Sequence, residues 1–209
     1  MNEYHKIETL YERDADTFKV KPGVFKNRVY SLLKSWRWSE KVDGMNIRCI
    51  WKSNSRSFGG KTDNAQLPAD LTNWLHENIS SVLLNDLFPE TDVVIYGEGY
   101  GAGIQNGGGL SPTKKFIVFD VLVDNKWWLS YENVADVASK LGLRVVPDFG
   151  EMTLEEATEF VRKGFKSRCS VDPDKDAEGL VGRPLETLFD KNGARLIVKL
   201  KTKDFARGE

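Results

Sequence analysis

Five short segments place charged or aromatic side chains beside glycines or at the ends of strand-like runs, where a folded protein can use them for chemistry. In sequence order they are KVDGMN at 41–46, YGEG at 96–99, FIVFD at 116–120, EGLVGR at 178–183 and KLK at 199–201. The two lysines of the last segment share one face of a strand, because side chains alternate with a period of two. Paired ammonium groups repel each other unless an anion lies between them, which favours phosphate binding over a merely solvated strand face.

Lys41 is the candidate nucleophile of the first segment. A lysine with the ordinary pKa of about 10.4 is a poor nucleophile at neutral pH, but neighbouring cations and partial burial lower such a pKa. The candidates for these cations are Arg48, Lys199 and Lys201. Taken alone, this segment also fits a solvated lysine in a surface turn, which is the commoner occurrence.

Two carboxylates stand next to glycines at the ends of apolar runs. Glu98 lies between two glycines, which let a ligand approach the backbone closely, so its carboxylate could accept hydrogen bonds from ribose hydroxyls. Glu178 precedes another strand-like run and could hold Mg²⁺ or orient an amine. By themselves, both segments also fit ordinary surface glutamates at strand ends.

Phe116 and Phe119 are three residues apart, so they point to opposite faces of a strand. One ring can then pack in the core while the other stacks on a ligand, although core packing of both rings is the alternative. The glycine-rich stretch 101–109 lacks both the GK[ST] ending of a P-loop and the GxGxxG register of a dinucleotide site. It predicts a mobile loop that faces the substrate.

The composition is that of an ordinary folded domain, since 40% of the 209 residues are hydrophobic and can form a substantial core. The chain has no apolar run of the roughly 20 residues that span a bilayer, and its polar N-terminus lacks a signal segment. We therefore expect a cytoplasmic protein that does not enter a membrane. Cys49 and Cys169 lack the spacing of a zinc site or of a disulfide framework.

The charge is balanced overall but unevenly distributed along the chain. There are 30 Lys and Arg residues and 31 Asp and Glu residues. Residues 19–61 contain 11 bases and two acids, a net charge of +9, and residues 191–209 contain six bases and two acids. If the fold brings these two segments together, they form a positive face suited to phosphates, whereas scattered solvated lysines are the alternative.

Hydrophobic periodicity predicts an α+β domain with mainly antiparallel sheets. Two strands are expected within Trp36–Trp51, around a hairpin-like turn at Asp43-Gly44. The other predicted strands are 92–99, 115–122, 179–183 and 195–200. The predicted helices are 24–33, 67–87, 131–141 and 153–165, the last with a capping box formed by Thr153 and Glu156.

The order and spacing of the five segments resemble the covalent nucleotidyltransferase superfamily, which contains polynucleotide ligases and mRNA capping enzymes. KVDG, YGEG, FIVFD, EGLVGR and KLK match its motifs I, III, IIIa, IV and V between residues 41 and 201. Gly44-Met45-Asn46 and the separation of 21 residues between Glu178 and Lys199 resemble ATP-dependent RNA ligases of the nick-sealing type. The resemblance implies an α+β nucleotidyltransferase domain, similar to ATP-grasp ligases, with antiparallel sheets flanked by helices.

The resemblance also implies catalytic roles for the matched residues. Lys41 would attack the α-phosphorus of ATP, expel pyrophosphate and become lysyl-AMP. Glu178 would help to bind Mg²⁺ or Mn²⁺ and would position the lysine. Lys199 and Lys201 would hold the α-phosphate while negative charge builds on it.

The nucleoside would be bound by a second set of residues. Glu98 would bind the ribose, Phe119 would stack on the adenine, and the backbone carbonyl of Glu40 would accept from the adenine amine. Candidates for further contacts to ribose or phosphate are Asn46, Arg48 and Arg56.

These roles predict an ATP-dependent RNA ligase that works in RNA repair. AMP would pass to a 5′-phosphate end and a 3′-hydroxyl would then displace it, on RNA or DNA strand ends and above all at a nick in a duplex. DNA ligases usually carry arginine where this chain has Asn46, which lowers the expectation of a DNA or mixed-substrate ligase without removing it. The five segments also fit a capping-type guanylyltransferase or an inactive nucleic-acid-binding relic.

The chain ends eight residues after Lys201, where most ligases of this superfamily carry an OB-fold or a helical domain. We therefore predict a single adenylyltransferase domain over residues 1–209. Its grip on the substrate would come from the two basic segments and would be sensitive to salt. A partner protein that replaces the missing domain, or a truncated chain, is the alternative.

Overall fold

The computed structural model describes residues 3–105 and 109–205. The chain divides into two compact units. The first unit consists of Met1–His5, Asp43–Val146 and Ser170–Asp172, and the second unit of Lys6–Val42, Pro147–Cys169 and Pro173–Glu209. Part of the predicted glycine-rich loop, 106–108, and the end of the basic tail lie outside the described residues.

The described residues form thirteen strands, four α-helices and two short 3-10 helices. The strands are β1 (Glu8–Thr9), β2 (Tyr11–Arg13), β3 (Val20–Phe25), β4 (Trp36–Glu40), β5 (Met45–Lys52), β6 (Ser55–Gly59), β7 (Val93–Tyr100), β8 (Lys115–Val123), β9 (Trp127–Trp128), β10 (Arg144–Val145), β11 (Asp148–Met152), β12 (Gly179–Pro184) and β13 (Val198–Lys201). The helices are α1 (Ala69–Asn78), α2 (Ser81–Leu87), α3 (Tyr131–Lys140) and α4 (Leu154–Lys163), with 3-10 helices at Arg28–Leu32 and Thr202–Asp204.

The second unit is built on a five-stranded sheet in the order β1-β13-β12-β4-β11, beside a two-stranded sheet of β2 and β3. All neighbouring strands are antiparallel except β1 and β13. Helix α4 presents Leu154, Ala157 and Val161 at three- and four-residue spacings, so that they lie on one face. That face is buried in one cluster with Trp38 and Leu180 of the sheet.

The first unit is built on a six-stranded sheet in the order β10-β8-β7-β5-β6, with β9 paired to β8. Ile47, Cys49 and Trp51 of β5 are buried in a core that also contains residues of α1, α2 and α3. Because side chains alternate along a strand, Asn46 and Arg48 lie on the opposite face of the sheet. Glu98 of β7 is paired with Asn46 and lies on this second face too.

The predicted α+β class with mainly antiparallel sheets is confirmed. The single helix predicted over 67–87 is wrong, because the helical conformation is interrupted at Ile79 and Ser80. A second helix, α2, begins there, and the Ser80 hydroxyl caps it by accepting a hydrogen bond from Leu83 N. The helix predicted over 24–33 is also wrong, since the stretch contains the end of β3 and a 3-10 helix.

The hairpin predicted within Trp36–Trp51 is wrong as well, although both of its strands exist. Strand β4 pairs with β11 and β12, and β5 pairs with β6 and β7, so the two strands belong to different sheets. None of the α-helices in the described ranges exceeds ten residues, and none has the length and apolar composition needed to cross a bilayer.

The capping box of α4 gives a test of local stability. The Thr153 hydroxyl accepts from Glu156 N at 3.1 Å, and Glu156 Oε2 accepts from Thr153 N at 2.8 Å. We expect Thr153→Ala to lower the free energy of unfolding by about 1 kcal/mol, because an N-terminal amide of the helix loses its acceptor. Urea denaturation measures this change, and Thr153→Ser, which keeps the hydroxyl, is the control. An equal loss in both variants would contradict the assignment.

Candidate active site

Strand pairing in the second unit brings three of the five segments into one line. Glu40 is paired with Leu180, which is paired with Leu200 on the next strand. One residue further along, Lys41 N donates to Gly179 O at 2.9 Å, and Gly179 is paired with Lys201. Glu178 precedes Gly179, so its carboxylate lies between the lysine after β4 and the lysine at the end of β13.

Gly179 permits this close approach of β12 and β13. A Cβ atom at this position would lie 1.9 Å from Leu200 O, far inside the contact distance of any side chain. The glycine in the EGLVGR segment is therefore required by the backbone of the neighbouring strand.

The Glu178 carboxylate is shared by two ammonium groups. Lys41 Nζ donates to Glu178 Oε2 at 2.6 Å, and Lys201 Nζ lies 2.7 Å from Glu178 Oε1. The side chains are mostly buried, with 21% of each lysine and 16% of the glutamate exposed. The structure thus joins the first, fourth and fifth segments through one carboxylate.

Lys199 adds a third cation to this cluster. Burial lowers the pKa of Lys199, and the positive charges of Lys201 and Lys41 lower it further, with Glu8 acting in the opposite direction. Burial raises the pKa of Glu178, but the Lys41 charge and the hydrogen bonds from Lys201 and Lys41 outweigh it and hold this pKa below its usual range. The Glu178 carboxylate therefore contacts two amines and Lys199 adds a third positive charge near them, which an anion such as a phosphate would help to balance.

Glu40 is buried, and its side chain holds a distant loop. Its carboxylate accepts hydrogen bonds from the Ser167 hydroxyl and, at 2.8 Å, from Arg168 N. These contacts fix the residue that immediately precedes Lys41. No local pattern could have predicted this role, because the partners are 127 and 128 residues away along the chain.

The polar face of the first unit brings Asn46 and Glu98 together. The two residues are directly opposite each other on β5 and β7, and both are half-buried. The chain just before β5 can approach β7 closely because residue 44 is a glycine. A Cβ atom at Gly44 would lie 2.2 Å from Gly99 O and 2.9 Å from Glu98 Cγ. Oδ1 of Asn46 is buried and has no hydrogen-bond partner among the described residues.

Arg48 lies on the same face, and only two of its three guanidinium nitrogens have a hydrogen-bond partner in the described part of the chain. The residue is 1% exposed, and its guanidinium donates from Nε to Gly60 O and from Nη2 to Asp63, both at 2.8 Å. Nη1 is buried without a hydrogen-bond partner in the described part of the chain. Buried polar atoms are normally paired, so Oδ1 of Asn46 can accept and Nη1 of Arg48 can donate a further hydrogen bond on this face.

Phe119 occupies a β-bulge in β8. The pairing of β7 with β8 shifts between Tyr96 and Gly97, so that Phe119 has no partner residue on β7. Phe116 is buried in the core, whereas Phe119 is half-buried and packs edge-on against Tyr4, with ring centroids 5.0 Å apart. The two rings therefore have different environments.

Arg56 lies on the edge strand β6 of the same unit. Its Nη2 is 3.1 Å from Nδ1 of His76, and its guanidinium carbon lies 5.2 Å from the centroid of the Phe58 ring. Lys41, Glu178, Lys199 and Lys201 are thus brought together in the second unit. Asn46, Arg48, Glu98 and Phe119 share one sheet of the first unit, and Arg56 lies at the edge of that sheet.

Glu178 is the residue that would hold a divalent cation. Mg²⁺ is usually bound by one or two carboxylates together with waters and substrate phosphates. A carboxylate oxygen would become available if one ammonium group moved to a phosphate, and Glu178 could then hold Mg²⁺ or Mn²⁺ together with a nucleotide. Within residues 3–105 and 109–205, no group of three or more His, Cys, Asp or Glu side chains is placed to hold a metal ion.

The fold of the chain is that of solved RNA ligase structures. Residues 34–201 match the family described as RNA ligase, and this span contains all five segments. The chain therefore belongs to the RNA ligase family. None of the curated protein sequences matches it significantly.

Solved structures of the Naegleria gruberi RNA ligase share this fold. A lysine-to-alanine mutant with ATP and Mn is 18% identical with a TM-score of 0.65, over 96% of this chain and 59% of that chain. A lysine-to-methionine mutant with AMP and Mn is 17% identical with a TM-score of 0.66, over 96% and 60%. The protein with PPi is 15% identical with a TM-score of 0.65, over 97% and 62%. This chain thus spans about 60% of the length of these ligases.

Replacement of Glu178 tests the charge balance of the cluster. We expect Glu178→Gln to lower the free energy of unfolding at pH 7 by roughly 1–3 kcal/mol, because charged hydrogen bonds to two lysines are lost. A carboxyl whose pKa is lowered by folding contributes stability above its unfolded pKa and loses it as the pH falls through the folded pKa. The difference between wild type and variant should therefore shrink below pH 4.5, the ordinary pKa of this group.

Glu186→Gln is the control for this measurement, because Glu186 is exposed on the same unit. Urea denaturation across a pH series should give a change within about 0.5 kcal/mol for this control. If both variants lose the same stability at every pH, the shared carboxylate does not stabilise the cluster.

Proposed function

We propose that this chain catalyses ATP-dependent joining of RNA ends, with Lys41 as the nucleophile that receives AMP. One observation carries the proposal: Lys41 and Lys201 share the Glu178 carboxylate, with Lys199 beside them. A nucleophilic amine, an adjacent carboxylate and two further cations form a set suited to phosphoryl chemistry, which depends on positioning and charge neutralisation. Membership of the RNA ligase family supports the same reaction.

In the proposed first step, the phosphates of ATP draw Lys199 and Lys201 toward the α-phosphate. Glu178 then holds Lys41 in place, and the proton that the amine must lose passes to solvent. The Lys41 nitrogen forms a bond to the α-phosphorus, the bond from that phosphorus to the oxygen of the leaving group breaks, and pyrophosphate departs. A divalent cation held by Glu178 would supply positive charge to the phosphate oxygens.

Two further transfers complete the proposed reaction. An oxygen of a 5′-phosphate end attacks the phosphorus of lysyl-AMP, the phosphorus–nitrogen bond breaks, and Lys41 recovers its amine. A 3′-hydroxyl then attacks the 5′-phosphorus of this activated end, and AMP leaves as the phosphodiester bond forms. The proposed substrate is a nick between RNA ends in a duplex.

We propose that residues of the first unit bind the nucleoside. Glu98 and Asn46 face each other, and the unpartnered Asn46 amide oxygen supports hydrogen bonding to ribose hydroxyls. The unpartnered Nη1 of Arg48 supports a contact to ribose or phosphate. Phe119 is proposed to stack on the adenine, since it is half-buried beside the bulge. The Glu40 carbonyl and Arg56 remain candidates for adenine and phosphate contacts.

Label transfer tests the first step directly. The protein is incubated with Mg²⁺ and ATP or GTP labelled at the α-phosphate, and label that survives denaturation is measured. We expect an adduct with ATP that disappears in Lys41→Ala, because the proposed phosphorus–nitrogen bond forms on the amine that this change removes. Lys34→Ala, which removes an exposed lysine of the same unit, is the control and should form the adduct.

Three outcomes of label transfer would contradict the proposal. An adduct that persists in Lys41→Ala excludes this lysine, an adduct with GTP alone indicates capping chemistry, and no adduct with either nucleotide indicates an inactive binding protein. Nicked RNA, DNA and hybrid duplexes then test the substrate. We expect sealing of the nick between RNA ends, and a preference for DNA ends would contradict the proposed substrate.

Phe119 gives a second test, on nucleotide affinity. Stacking of a base on an aromatic ring contributes about 1–3 kcal/mol. We therefore expect Phe119→Ala to raise the ATP concentration that gives half-maximal adduct by roughly 5- to 100-fold. Phe119→Trp keeps an aromatic face and should restore most of the affinity. A requirement for ATP that is unchanged in Phe119→Ala would exclude this ring as the adenine platform.

A further inference from the structure

The second unit contains an open groove of about 840 Å³, which we call the basic groove. It lies between the turn that joins β2 and β3, the last turn of α4 and the 3-10 helix Thr202–Asp204. The residues that carry the following argument are Arg13, Phe18, Lys19, Lys163, Lys203 and Phe205. The 3-10 helix follows β13 directly. Lys203 of the groove is therefore two residues along the chain from Lys201, which contacts Glu178.

Three cations of the basic groove are uncompensated. Arg13 is paired with Asp204 at 2.7 Å, so its charge is balanced within the groove. In the described part of the chain, no carboxylate forms an ion pair with Lys19, Lys163 or Lys203. Lys19 comes from one of the two basic segments of the sequence and Lys203 from the other. The fold of this unit thus brings both segments to one surface, which attracts polyanions.

Phe18 is held out to solvent beside these lysines. It is 70% exposed and has a φ of 56°, in the left-handed region that a bulky residue rarely adopts. The turn is fixed by Asp14, whose Oδ1 accepts from Thr17 N at 3.0 Å and whose backbone oxygen accepts from Phe18 N at 3.1 Å. Arg13 also donates to Phe18 O at 2.8 Å. An exposed ring on a strained and well-anchored turn points to a binding role.

We propose that the basic groove binds a single-stranded segment of a polynucleotide, with one base stacked on Phe18 and backbone phosphates bound by Lys19, Lys163 and Lys203. A flat ring next to several uncompensated ammonium groups matches the alternation of bases and phosphates in a nucleic acid strand. An acidic peptide supplies the negative charge but has no regular series of planar rings. The identity of this strand as a single-stranded extension of the RNA whose nick is sealed rests on the proposed function.

Fluorescence anisotropy of a labelled single-stranded RNA oligonucleotide, titrated with the full chain, tests the basic groove. We expect Phe18→Ala to weaken binding roughly 5- to 100-fold, by the loss of one stacked base. Phe18→Trp should keep the affinity. The triple variant Lys19→Ala, Lys163→Ala, Lys203→Ala should flatten the slope of log affinity against log salt concentration by about 2, since each single-strand phosphate contact contributes about 0.7. Phe18→Ala should leave that slope unchanged.

Matched controls remove equivalent groups from other surfaces. Trp127→Ala deletes an aromatic side chain that is 60% exposed in the first unit. A second triple variant replaces with alanine Lys34, Lys126 and Lys191, which are exposed lysines without an ion pair in the described part of the chain. If Phe18→Ala and the groove triple variant bind RNA as tightly as these controls, the inference is wrong. Competition by polyglutamate or by a blunt RNA duplex that equals competition by single-stranded RNA would also overturn it.

Label transfer to the wild-type chain keeps the two proposals separate, because that step requires no polynucleotide. A chain that binds RNA through the basic groove but forms no lysyl-AMP contradicts the proposed function and leaves the groove supported. A chain that forms lysyl-AMP, but whose groove variants bind RNA like the controls, contradicts only the groove.

Discussion

The arrangement of the lysines in the second unit depends on one carboxylate, that of Glu178, which is shared by two ammonium groups. Without Glu178, three lysines would face one another in a mostly buried place, where water screens their repulsion poorly. With Glu178, the lysines are held together but keep an excess of positive charge. This partial compensation keeps the amines in position and leaves the cluster able to bind a further anion.

Strand pairing in the sheet of the second unit determines the position of this carboxylate. Three antiparallel strands with fixed register align Lys41, Gly179 and Lys201, and the missing side chain of Gly179 lets β12 approach Leu200 O. The apolar residues of the same strands are packed under α4. Side-chain alternation therefore connects the buried core to the position of the charged groups, because a one-residue slip would turn the lysines to the other face.

The two faces of the sheet in the first unit differ in polarity. One face is apolar and packs against helices, while the other keeps polar atoms of Asn46 and Arg48 buried but unsatisfied. Such atoms destabilise a fold unless a partner arrives, so their retention is consistent with a surface built for a ligand. The bulge at Phe119 lies in the same sheet and releases one aromatic ring from regular pairing.

Residue types and short-range periodicity are local properties, and they were enough to predict the class of fold and to single out the five segments, whereas the grouping of Lys41, Glu178, Lys199 and Lys201 followed from the family resemblance. These local properties left open whether Phe116 and Phe119 both pack in the core. Three features became known only from the folded chain: β4 and β5 lie in different sheets, the Glu40 carboxylate holds Ser167, and Lys41 meets Glu178 across 137 residues. Pairing between distant strands depends on the packing of the whole chain, which no local pattern encodes.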